Sequence, residues 1–107
     1  MNNLDKRVYE VHGKVMNMFM GNQCYDVDPP LVMDCVKNAL TSIGLNVEEI
    51  MFFDIDGNVS QDIDNARYVR AVATSNEING KQIFTFALIK YRGKYKVLYL
   101  QSAVEER

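Results

Sequence analysis

The chain has 107 residues, 48% of them hydrophobic and 24% charged, which is enough apolar mass for one core and too little length for two domains. Charges are well mixed with aromatic and β-branched residues, so a disordered chain is excluded. The net charge of −2 argues against a generally basic nucleic-acid binder, and no unbroken apolar stretch resembles a signal-peptide core or a membrane span.

One α+β domain over residues 1–107 is therefore expected, in the cytoplasm by default and with no membrane attachment. Cys24 and Cys35 are too few for a disulfide framework and lack Cys-x-x-Cys spacing, so they read as reduced structural thiols. The charge is unevenly spread. Residues 1–66 hold eleven acids and four bases, and residues 67–107 hold eight bases and three acids. Such polarity favours oriented association with a charged partner or a second copy.

In chain order, Leu4, Val8, Val11, Val15 and Met18 recur at helical spacing, and Gly21 is a natural stop. Gly13 weakens this helix by about 1 kcal/mol relative to alanine. After a linker at 22–27, Asp28 can cap a second helix that has Pro29 in its first turn. Val32, Cys35, Val36, Ala39, Leu40 and Ile43 form its stripe, and Gly44 ends it. The rest reads as four strands, over 49–55, 67–75, 83–91 and 95–101. They are separated by turn signals at Asp56-Gly57, Asn79-Gly80 and Arg92-Gly93, and the tail from Val104 is expected to fray.

A two-residue loop at Asn79-Gly80 would pair Ala73 with Phe86 and Ala71 with Leu88. Val69, Ala71, Ala73, Phe84, Phe86, Leu88, Val97 and Tyr99 then share one face. Val72, Ala87, Ile89, Leu98 and Leu100 share the other. Both helices precede the strands, so they are expected to pack on one face of a bent four-stranded antiparallel sheet.

The segment Ala66-Arg67-Tyr68-Val69-Arg70, continuing through Gly80-Lys81-Gln82-Ile83-Phe84-Thr85-Phe86-Ala87-Leu88 to Gly93-Lys94-Tyr95-Lys96-Val97, resembles the terminal strands of cystatin-like and nuclear-transport-factor-two-like domains. The resemblance implies helices ahead of a strongly bent sheet. It leaves binding, dimerisation and small-molecule chemistry all open. The tryptophan often found in the last strand is absent, and Tyr95 stands there instead.

Candidate chemistry is sparse. Aligning Asp56-Gly57 with an EF-hand puts Phe52 and Ile63 at the first and last ligand positions, so the acidic run from Asp54 to Asp64 reads as a solvated turn. His12, the single histidine, is offset from the apolar stripe and reads as a boundary residue. Met16, Met18 and Met20 flank Phe19 and read mainly as core filling. Lys90, Arg92, Lys94 and Lys96 interleave with Tyr91 and Tyr95 as a candidate partner-binding hairpin, which could hold single-stranded nucleic acid or simply keep the hairpin soluble. Asp54, Tyr68 and Tyr99 are the pocket candidates if a carboxylate and tyrosines meet in tertiary structure.

No catalytic residues, metal ligands or cofactor are implied. The sequence thus favours a non-catalytic accessory, regulatory or inhibitor module that binds another protein. A homodimer through Val72, Ala87, Ile89 and Leu98 is expected, with Tyr68, Tyr91 and Tyr95 at its rim. A small-molecule-binding domain or enzyme and a nucleic-acid binder are the alternatives.

Overall fold

The structure, a computed structural model, describes residues 3–105, with side chains from residue 6 onward. The side chain of Leu4 in the expected stripe and the end of the tail at 106–107 lie outside what it describes. Helix α1 spans Asn3–Met20, and the Gly21 amide bonds back to the Met18 carbonyl. Its most buried residues are Val15 and Phe19, with Val11 and Met18 packed beside them and Met16 and Met20 exposed. The buried stripe is thus rotated toward Phe19, and away from Met16 and Met20. The cause is tertiary: the Phe19 ring meets Phe86 of the sheet at 4.5 Å between centroids.

A 3₁₀ turn, Pro29–Leu31, leads into α2, Val32–Ser42, whose buried residues are Val32, Val36, Ala39 and Leu40. Asp28 precedes the turn with extended backbone but makes no capping hydrogen bond, contrary to expectation. At the other end Gly44 adopts a φ of +91°. Its amide bonds to the Thr41 carbonyl while the Leu45 amide reaches back to Leu40. This is a Schellman closure, and the buried Leu40 and Leu45 supply the apolar contact that accompanies it.

The strands are β1, Asn46–Phe53; β2, Val59–Ser60; β3, Tyr68–Ser75; β4, Ile78–Tyr91; and β5, Lys94–Glu105. All neighbours are antiparallel in the order β2-β1-β3-β4-β5. The architecture is the expected α+β one, with a short fifth strand, β2, emerging from the acidic run. Val104 and Glu105 continue β5 opposite Gln82 and Lys81 rather than fraying.

The β3–β4 turn differs from expectation. Ser75 pairs with Ile78, so the chain reverses at Asn76-Glu77, and Ala73 faces Gln82 rather than Phe86. Asn79-Gly80 lies in a bulge of β4, where Gly80 has a φ of +98°. Glycine's freedom at positive φ is used there for a bulge instead of a turn. The shift is four residues, an even number, so no side chain changes face. Val69, Ala71, Ala73, Phe84, Phe86, Leu88 and Val97 are all buried together. Arg92-Gly93 forms the expected two-residue turn, with both φ angles positive, 54° and 80°.

Cys24 and Cys35 form a disulfide across a Cα–Cα distance of 5.9 Å, which corrects the reading of free thiols. It fastens the linker to α2. The linker also pairs with β5 through reciprocal Val27–Tyr95 backbone bonds and a Val97 amide bond to the Cys24 carbonyl.

Both helices pack on one sheet face, since Val15, Phe19, Val32, Val36, Ala39 and Leu40 share the core with the inward strand residues. The shortest dimension is 19 Å, which matches one sheet and one layer of helices at about 10 Å each. No described helix is long and apolar enough to cross a membrane.

Candidate functional site

Strand pairing defines the face that carries no helix. One row across it runs Phe53, Tyr68, Ala87 and Leu98; the next runs Met51, Arg70, Thr85 and Gln101; a third runs Glu49, Val72, Ile83 and Ala103. The outer and middle rows are knitted by the Arg70 guanidinium, 4.6 Å from the Phe53 ring centroid. None of these side chains belongs to the core cluster beneath the helices. Val72, Ala87, Ile89 and Leu98 are all on this face, with Ala87 directly opposite Leu98. Ile89 is 44% exposed.

The four bases of the β4–β5 hairpin do not form one patch. Lys94 and Lys96 project on the helix-free side with Ile89 and Tyr91, as strand alternation requires. Lys90 projects on the opposite side with Leu88 and Tyr95, beside Asp64 and Arg67. The Lys94 ammonium donates to the Asp28 carboxylate at 2.7 Å, and this contact raises its pKa above the ordinary lysine value. Lys96 sits 4.5 Å from the Tyr25 ring centroid and Arg92 5.2 Å from that of Tyr91. Of the four, only Lys94 is paired with a carboxylate; Lys90, Arg92 and Lys96 make no ion pair among the described residues.

Asp54, Tyr68 and Tyr99 are not brought together. The Asp54 carboxylate accepts the amides of Asp56 and Asn58, each at 2.9 Å, and so shapes its own turn. Tyr68 is on the helix-free face. Tyr99 is on the inner face, edge-on to Phe86, with its hydroxyl bonded to Ser102. Asp62 likewise binds the Asn65 amide at 3.0 Å. Among the described residues no three His, Cys, Asp or Glu side chains gather as metal ligands.

His12, in the middle of α1, is partly buried and edge-on to Phe84 at 5.2 Å. Burial holds its imidazole below the ordinary histidine value, with the Gln82 side chain alongside opposing the shift in part. Gln82 is fully buried on β4. Neither of its amide heteroatoms nor His12 Nε2 completes a hydrogen bond of ordinary geometry.

The sequence reading missed one concavity of about 370 Å³. Tyr25, Asp26, Ile89, Tyr91, Lys94, Tyr95 and Lys96 line it. Strand alternation puts Ile89, Tyr91, Lys94 and Lys96 on one side of the hairpin, and that much was available from the turn signal. Tyr25 and Asp26 arrive only through the Val27–Tyr95 pairing, which has no local signature. No protein-family model, curated protein or solved structure matches this chain.

Proposed function

We propose that this chain is a non-catalytic interaction module that uses its helix-free sheet face to bind another protein, a second copy in the first instance. The observation that carries this reading is the arrangement of Phe53, Tyr68, Ala87, Leu98, Val72 and Ile83 on a face to which neither helix contributes. Four strands of eight residues or more present a face of roughly 500 Å², below the ~800 Å² that a typical specific interface buries on each partner. The association is accordingly expected to be a weak one, with Tyr68 and Tyr91 suited to its rim.

The apolar rows rather than charge support a second copy as the occupant, because Glu48 and Lys94 are already paired within the chain, with Lys81 and Asp28. The Cys24–Cys35 bond favours an oxidising compartment over the cytoplasm as the place of action.

Sedimentation equilibrium at tens of micromolar tests the reading. A monomer–dimer equilibrium that Leu98→Lys abolishes, with the circular dichroism spectrum unchanged, supports the face as the interface. A monomer at every concentration refutes the homodimer.

A further inference from the structure

The concavity between the linker and the β4–β5 hairpin has a charge arrangement that the sheet face does not explain. Its walls are apolar and aromatic: Tyr25 is 52% exposed, Tyr91 68% and Ile89 44%. Solitary exposed apolar residues are ordinary, but three around one hollow of about 370 Å³ match the size and lining of a small-ligand site. Two acids and two bases surround it. Asp28 and Lys94 neutralise one another at 2.7 Å. The Asp26 carboxylate, which also feels the Lys94 charge without pairing with it, and the Lys96 ammonium remain in the lining, and neither makes an ion pair among the described residues. Lys96 is held instead over the Tyr25 ring.

A simple anion would satisfy Lys96 and be repelled by Asp26; a simple cation would meet the reverse. A ligand carrying one charge of each sign satisfies both groups, and an apolar side chain on it would replace water against the tyrosines and Ile89. We infer that this hollow binds a zwitterionic α-amino acid with an apolar or aromatic side chain, its ammonium directed to Asp26 and its carboxylate to Lys96. The disulfide at Cys24 and the Val27–Tyr95 pairing fix the backbone on either side of Tyr25 and Asp26, so little ordering cost remains for binding. Ile89 and Tyr91 also border the helix-free face, so ligand titration is repeated on the Leu98→Lys variant, in which that face is not paired.

The test is a titration of isotope-labelled protein with L-phenylalanine, followed through backbone amide shifts. Saturable shifts centred on Tyr25, Ile89, Tyr91 and Lys96 are expected. N-acetyl-L-phenylalanine, which lacks the ammonium, and L-phenylalaninamide, which lacks the carboxylate, should each bind about tenfold more weakly. Asp26→Asn should weaken phenylalanine but not its N-acetyl derivative, and Lys96→Met should weaken phenylalanine but not the amide. A merely structural role for either residue would weaken all three ligands alike. Absence of saturable shifts at millimolar phenylalanine, equal binding of the blocked derivatives, or uniform weakening by both substitutions would overturn the proposal.

Discussion

The Lys94 ammonium lies 2.7 Å from the Asp28 carboxylate, linking the β4–β5 hairpin to the entrance of α2. Asp28 therefore serves a contact 66 residues away in sequence instead of the helix end beside it. Both side chains are about half exposed, so screening keeps the pair weak. The raised Lys94 pKa gives the sign of its linkage: the stabilisation is complete below the ordinary lysine value and disappears as pH rises through the raised one. Asp28→Asn should remove that alkaline dependence and lower thermal stability only slightly, as a pH series of melting curves would show.

The disulfide closes a sequence separation of 11 residues. On a chain-entropy argument such a loop contributes roughly 2.5–3 kcal/mol. The double variant Cys24→Ser, Cys35→Ser should lose about that much in urea unfolding, and dithiothreitol should lower the wild-type midpoint to match it. Indifference to reductant would mean that the bond does not stabilise the fold.

Gly44 and Gly13 should respond to alanine with opposite signs. A Cβ at either position meets nothing within 4 Å, so backbone conformation decides. Gly44→Ala should cost about 1 kcal/mol because its φ of +91° is strained for an L side chain. Gly13→Ala, in the interior of α1, should stabilise by roughly 0.5–1 kcal/mol. Denaturant midpoints of the two variants give the comparison directly.

His12 contributes a pH dependence at the acid side. Burial lowers its pKa from 6.5, so the folded state binds the proton less readily than the unfolded chain. Its contribution is complete above 6.5 and is lost as pH falls through the lowered folded value. Thermal unfolding between neutral and mildly acidic pH should show this decline, and His12→Phe should flatten it. An unchanged slope in the variant would assign the effect to the carboxylates.

Much of the fold was legible because helices and strands reveal themselves by local period. Val32, Val36, Ala39 and Leu40 are buried as their spacing requires, and the sheet faces were sorted correctly even though the β3–β4 turn was misplaced. The misplacement has a physical source. Asn79-Gly80 offers positive φ to a turn and a bulge alike, and only the packing of the whole strand chooses between them. The Cys24–Cys35 bond and the Tyr25 and Asp26 wall of the hollow depend on where the linker meets β5, a long-range pairing that period and propensity do not encode. The basic hairpin looked like one patch in sequence because a one-letter run does not show that Lys90 and Lys96 leave the sheet on opposite sides.

The linker also bears on aggregation. A sheet can recruit further chains wherever an edge strand offers unpaired amides and carbonyls. Here β2 is only two residues long, and the hairpin half of β5 already bonds to Cys24 and Val27. Neither of these stretches is an open template, so among the described residues the edges left for recruitment are residues 46–51 of β1 and the part of β5 beyond Val97. Cutting the disulfide would loosen the guard on β5. Reduced protein, held at a temperature where it remains folded, should therefore form thioflavin-positive fibrils sooner than the oxidised form.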